Sequence, residues 1–422
     1  MKRSMKRERA TLKSLEKAAQ MRKRPNNSKW FYSFVPFKIS TGGTAPLIPL
    51  LTLAVGGGPS EVGVVTAVGS SFSMLGGLFW GKLSDKLNRR KVFLIIGFLG
   101  SALMTFVFVL NRSVPQVILT NAIYSFFIAS TIPIPILIIT KSFRFEDWDY
   151  AIGKFNEICG WAWVIGLMIG FVLSQFLSIR EIFIVLGVIG LISVPWGIKV
   201  IREVPLHIDR KILGVYFGYV IEKFRYLPNM IIHMPHFSCG KFKIFYLSTF
   251  LFWIGGMLYF TQFPVLLKDR GYTASVVYLM SVGNSAISAY MYTRVGMELK
   301  TKSCISVLRN ALMFRIAGFV ILLFALKLSG IKFLLLAFIS YFLAGYTWAY
   351  IGISTTLVIS KNAPEKERGT LIGTYNLISS LGAIIGNLAS GILVELFGFE
   401  TNFSLSILLL GVSVITLRYS GL

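Results

Sequence analysis

With 55% hydrophobic and only 14% charged residues over 422 positions, and a mean hydropathy of +0.69, the chain is excluded from the water-soluble classes, in which about 25% of residues are charged. Its formal charge of +25 would suit a nucleic-acid binder if it were spread over one surface. It is not: 35 of the 43 Lys and Arg residues fall on one predicted side of a membrane and six on the other, so the basicity reads as topology, with both termini cytoplasmic in a cell membrane, and nucleic acid is not an expected partner.

Residues 1–29 carry eleven Lys and Arg, too many over too long a stretch for a simple signal region, and read as a basic cytoplasmic tail. Apolar runs then recur at 30–54, 62–80, 91–110, 114–140, 157–178 and 182–199, and again at 244–266, 274–293, 306–326, 331–359, 370–394 and 402–418. Each is long enough to cross a hydrocarbon core of about 30 Å. Backbone groups in lipid must pair internally, which makes these spans helices. Gly56-Gly57-Gly58-Pro59-Ser60 predicts a tight external turn with Ser60 as an N-cap. Pro46 and Pro49 in span 1, and Pro133 and Pro135 in span 4, predict bends. The break at 201–242 is too long for a simple turn. It divides the chain into a first six-helix bundle (30–200), a central cytoplasmic loop (201–242) and a second bundle (243–422). Cys159, Cys239 and Cys304 fall in a span or on the inner side, so no structural disulfide is expected.

The two halves resemble each other. Ile152-Gly153, Phe155-Asn156, Gly166 and Leu173 correspond to Ile372-Gly373, Tyr375-Asn376, Gly386 and Leu393 at a constant offset of 220, and Val68-Gly69 and Ser71 to Val282-Gly283 and Ser285 at 214. Copies six spans apart with the same predicted orientation form the parallel repeat of a transporter built from two similar bundles.

Between spans 2 and 3 stands Gly81-Lys82-Leu83-Ser84-Asp85-Lys86-Leu87-Asn88-Arg89-Arg90-Lys91. This segment resembles the signature loop of the major facilitator superfamily. Gly81, Leu83, Asp85, Arg89 and Arg90 match the pattern, Lys86 replaces a usual Arg, and Asn88 stands for the usual turn glycine; Asn is the next most tolerant of a left-handed backbone. Pro364-Glu365-Lys366-Glu367-Arg368-Gly369 is similar to the loop that the family places before span 11. The resemblance implies an all-α membrane fold of about twelve helices in two six-helix bundles, and a conformational latch at Gly81, Asp85, Arg89 and Arg90. An ion pair of Asp85 with Arg89 or Arg90 would form in one conformation and break in another. The proton-coupled drug antiporters of the family carry a Gly-Pro pair in span 5 and an arginine in span 4. Here Gly170 is followed by Phe171 and span 4 has no Arg.

Intramembrane charges are costly, and two stand out, Lys38 in span 1 and Arg315 in span 9, both expected nearer the cytoplasmic ends. Snorkelling to the interface accounts for either one. Lys38 is the better cavity candidate, because the resemblance implies that spans 1, 4, 7 and 10 line the pathway. The substrate-binding candidates are accordingly Lys38, Thr41, Asn121, Tyr124, Gln262, Tyr346 and Trp348, an aromatic set with few charges that suits an amphipathic or aromatic solute. Facing the cavity, Lys38 would instead suit an organic anion. No carboxylate occupies a predicted membrane centre, which leaves facilitated diffusion, proton coupling through Glu157 at a cavity mouth, or coupling through another route as the alternatives.

His207, His233, His236 and Cys239 gather in the central loop. Their types suit zinc, but Pro235 interrupts them and no strict finger spacing results, so no metal site is assigned. The stretch 211–227 reads as lying on the membrane surface. The sequence thus predicts a permease moving a small solute by alternating access, acting as a monomer in the lipid bilayer without a cofactor, and an exporter of hydrophobic compounds is one version. A membrane enzyme or lipid-handling protein is the competing class, with no clustered nucleophile, base or metal site in the spans to support it.

Overall fold

The computed structural model describes residues 28–87, 90–143, 148–201, 242–299, 301–364 and 368–420. Among these, every regular element is helical, and nine helices are long and apolar enough to cross a membrane. Three further spans bring the number to twelve. Span 1 is broken into Phe34–Thr44 and Leu47–Ala54, each too short to cross alone. Span 8, Ala274–Glu298, is more polar. Spans 11 and 12 run as one stretch, Arg368–Arg418, interrupted at Gly398 with φ of 80°, a left-handed conformation that glycine adopts without steric cost.

The remaining spans are Pro59–Leu87 (span 2), Arg90–Leu110 (span 3), Val114–Ser142 (span 4), Trp148–Leu173 (span 5), Ile179–Val200 (span 6), Lys243–Asp269 (span 7), Cys304–Ala325 (span 9) and Gly330–Asn362 (span 10). The prolines act as their chemistry dictates. Span 1 stops before Pro46, and span 4 passes through a short 3-10 turn, Ala129–Thr131, before resuming at Pro133. One expected detail is different. Span 2 already begins at Pro59, so Ser60 lies inside the first turn and caps nothing. Proline is well placed there, since the first-turn N–H groups lack intrahelical partners.

The halves, 28–201 and 242–420, repeat one packing scheme. In the first, Gly166 of span 5 lies against the Ile39 carbonyl of span 1; in the second, Gly386 of span 11 lies against the Ile254 carbonyl of span 7. These are the glycines paired by the offset of 220. Lipid offers little hydrophobic drive for helix association, so close backbone approach over small residues has to hold the bundles together.

Across the halves, span 2 meets span 11 and span 5 meets span 8, and both contacts are tight at one end only. At the end carrying loops 55–58, 174–178 and 270–273, here the loop end, Gly63 lies against the backbone of Asn387 and Gly391, and Gly170 lies under the Tyr278 ring. A heptad or two towards the end that holds residue 28, the tail end, the helices part. Gly77 and Gly373, which continue the faces of Gly63 and Asn387, have nothing within 4 Å of an added methyl group. Span 5 shows the same gradation: Gly170 is crowded, Gly160 has only Ala289 at 3.7 Å, and Gly153 has open space. Among the described residues, the halves are in close contact at the loop end and apart at the tail end.

Candidate functional site

The closure at the loop end is polar. Ser60 donates to the Glu395 carboxylate, Gln262 Nε2 to the Pro59 carbonyl at 3.2 Å, and Asn387 Nδ2 to Ser70 Oγ at 3.0 Å. On the other side, Tyr278 donates its phenolic proton to the Gly43 carbonyl at 2.6 Å, and Ser174 pairs with Ser275 at 3.0 Å. Each neutral hydrogen bond contributes only about 0.5–1.5 kcal/mol net. Several such bonds can hold the end shut and still release it.

The sequence-predicted binding residues divide between different places. Gln262 is fully buried and also bonds Ser390 Oγ at 3.1 Å, which puts it in the loop-end closure and not at the centre. Asn121 is buried and donates to the Val65 carbonyl at 2.8 Å, tying span 4 to span 2. Tyr124 is buried with its ring edge on Phe108. Thr41 returns its proton to the Phe37 carbonyl of its own helix at 3.0 Å. Lys38 is half-buried, its ammonium 5.5 Å from the Phe37 ring centre. Tyr346 and Trp348, two positions apart, point to nearly opposite sides of span 10, since two residues advance a helix by about 200°. Tyr346 meets Tyr350, which donates to Glu298 at 3.1 Å; Trp348 meets Trp253 of span 7 edge to face.

Of the latch, Gly81 is half-buried, a methyl group added there would among the described residues meet Pro133 of its own half at 4.0 Å, and Arg90 is buried at the start of span 3. Asp85 lies in the last turns of span 2, while its side chain and Arg89 lie outside the described residues, as do His207, His233, His236 and Cys239. Among the described residues no group of His, Cys, Asp and Glu suited to a metal ion occurs. Glu157 pairs with Lys154 at 3.1 Å, both about 40% exposed. It shares a face of span 5 with Gly153 and Gly160, and therefore looks towards span 8 where the halves part.

Arg315 overturns the snorkelling expectation. Span 9 runs from Cys304 to Ala325, which puts Arg315 at its middle, about 15 Å from either end at 1.5 Å per residue and beyond the reach of the side chain. It is completely buried. Nε donates to Thr347 Oγ1 at 2.9 Å and Nη2 to the Ala344 carbonyl at 2.5 Å, both on span 10. The guanidinium carbon lies 5.6 Å from each of the Phe252, Phe260 and Trp348 ring centres, and Nη1 is buried without a hydrogen-bond partner. A signal for this is present in the sequence. Cys304, Val307, Leu308, Ala311, Leu312, Arg315, Phe319 and Leu322 form one stripe at helical spacing, and the structure buries all of it.

The sequence profile described as Major Facilitator Superfamily matches residues 31–386. The chain belongs to that superfamily. A curated relative, the uncharacterized MFS-type transporter MJ1317 of Methanocaldococcus jannaschii, is 32% identical over 68 residues, 16% of this chain and 17% of the relative. The chain is also similar to solved structures across nearly its whole length. The nucleoside transporter NupG superposes with a TM-score of 0.66 at 14% identity, over 94% of this chain and 98% of the other. A POT family transporter in complex with a thioalcohol-conjugated peptide gives 0.68 at 12% identity, over 93% and 94%. A bacterial homolog of the human lysosomal transporter Spinster, inward-facing and occupied, gives 0.67 at 16% identity, over 92% and 97%. At such identities the likeness is one of fold. The superfamily fold is that of an all-α, multi-pass membrane protein of two six-helix bundles.

Proposed function

We propose that this superfamily member is a secondary transporter that carries a small organic solute by alternating access. The observation that carries the reading is the one-sided contact between two repeated halves: crowded from Gly63 to Gly391 and from Gly170 to Tyr278, open at Gly77, Gly153 and Gly373. Rocking the halves about the middle would break the loop-end hydrogen bonds and bring the open faces together. Span 2 ends at Leu87 and span 3 starts at Arg90 on that side, so a latch formed by Gly81, Asp85, Arg89 and Arg90 would act at the end that then closes. The charge asymmetry of the sequence supports a cytoplasmic tail end, the end that holds residue 28. In that orientation the conformation is inward-open. Closing the tail end would also press Glu157 towards span 8, which is how proton coupling would act on it.

The interior favours an organic anion over a neutral hydrophobic compound, for a specific reason. Lys38 has no acidic partner among the described residues, whose ion pairs join Lys154 to Glu157 and Lys302 to Glu298. A negative group on the solute would relieve the cost of burying that ammonium. Flux into proteoliposomes tests the reading. With a panel of neutral, cationic and anionic aromatic solutes, the wild type should carry at least one, and Lys38→Ala should depress flux of anions and spare neutral solutes. No flux of any solute rejects transport; equal loss for all classes rejects the role of Lys38.

A further inference from the structure

We propose that Arg315 forms a second anion site, in the C-terminal half, where its guanidinium receives the carboxylate of a planar aryl acid while the aromatic rings around it hold the solute's ring. The proposal rests on the reading of the interior as a solute site and assigns it a residue that the sequence alone sets aside.

The geometry points there in four ways. First, the charge is uncompensated among the described residues. A buried guanidinium is tolerated when it is paired and fully hydrogen-bonded, yet its described hydrogen-bond partners are a threonine hydroxyl and a backbone carbonyl, both neutral. Second, one donor is idle. Nη1 carries two N–H groups and has no partner, although its neighbour Nη2 is bonded. A carboxylate is the group whose two oxygens match the guanidinium fork, with charge-assisted bonds roughly twice as strong as neutral ones. Third, the surroundings are rings. Phe252, Phe260 and Trp348 each stand 5.6 Å from the guanidinium carbon, and Trp253 meets Trp348 edge to face at 5.7 Å. Their cation–π attraction stabilises the empty site and presents apolar faces to an aryl group. Fourth, the position suits entry. Arg315 lies midway along its span, near the depth at which transporters built of repeats hold their substrates. Trp348 and Phe260 are only partly buried, so the ring wall is not fully covered, and a solute would reach the buried Nη1 by displacing the Trp348 side chain.

A purely structural arginine, tying span 9 to span 10 through Thr347 and Ala344, would behave differently, and a binding experiment separates the two. The full-length protein in detergent is titrated with 2-naphthoate, and in parallel with the uncharged 2-naphthamide, while tryptophan fluorescence is followed. Wild type should show saturable quenching by 2-naphthoate and at least about tenfold weaker response to 2-naphthamide, the scale of a lost charge-assisted hydrogen bond. Trp348→Phe should remove most of the quenching. Arg315→Met should weaken 2-naphthoate binding about tenfold or more, and Arg315→Lys, which keeps the charge without the fork, should fall between. Equal binding of the acid and the amide by wild type overturns the proposal, and so does quenching that survives Trp348→Phe or affinity unchanged in Arg315→Met. The first two comparisons hold even if Arg315→Met fails to fold. Binding is read here without flux. A protein that binds 2-naphthoate but moves nothing therefore contradicts only the transport reading, and one that moves neutral solutes while ignoring 2-naphthoate contradicts this inference and the preference for anions while leaving transport standing.

Discussion

At Gly166 the lack of a side chain lets span 5 lie on the Ile39 carbonyl of span 1, while at Arg315 a full-length charged side chain lies wholly buried in the second half. Arg315 is visible as an intramembrane charge, but the predicted start of span 9 at residue 306 shifts it towards one end, where snorkelling is cheap. The helix begins at Cys304 and ends at Ala325, and the residue sits at the point where snorkelling fails. Trp348 and Tyr346 group together as neighbours in sequence, whereas helical geometry alone puts them on different faces. Gly166 is legible, because its repeat partner Gly386 marks it as a packing position. A methyl group at Gly166 would collide with the Ile39 backbone carbonyl, while one at Gly373 would meet nothing. Gly166→Ala should therefore lower stability by about 1–3 kcal/mol, the usual cost of overpacking, whereas Gly373→Ala, inside a helix and free of contacts, should not lower it and can raise it by up to about 1 kcal/mol. Thermal melting of both variants in detergent checks this; a Gly166→Ala protein that melts with the wild type would show that the contact yields freely.

Elements are legible in the sequence where periodicity and proline govern them, and less so where polar ends do. The breaks in spans 1 and 4 follow from Pro46 and Pro133. Span 2, by contrast, runs from Pro59 to Leu87, beyond the predicted 62–80, because a helix need not end where the hydrocarbon does. Ser178-Ile179-Arg180-Glu181 is a capping box that opens span 6: the Ser178 amide donates to Glu181 Oε2 at 2.7 Å, and the Glu181 amide to Ser178 Oγ at 3.4 Å. Its S-x-x-E spacing is a signal that sequence reading can use. Removing the cap with Ser178→Ala should cost about 1 kcal/mol, read as a lower melting temperature with flux retained. Span 5 carries the coupling prediction. With Glu157 on the face that turns to span 8, Glu157→Gln should abolish pH-driven flux in proteoliposomes and leave solute exchange at equal pH intact. Unchanged pH dependence would take Glu157 out of the mechanism.

At the scale of the whole molecule, the repeat at offsets of 220 and 214 is enough to give two similar bundles. It cannot say which residues join them, since Gln262 meets Pro59, Asn387 meets Ser70 and Ser60 meets Glu395 across 203, 317 and 335 positions of sequence. Nor can it say which end is closed, because that is a property of one conformation among those the same sequence adopts. If the two halves rock about the middle, the loop end must open for a solute to cross. This requirement is tested most directly by measuring proteoliposome flux in a Ser60→Cys/Glu395→Cys protein, cross-linked by oxidation and then reduced, for a solute that the uncross-linked protein carries. The cross-linked protein should carry nothing and reduction should restore flux; flux through the cross-linked protein at the reduced rate would show that the loop end need not open.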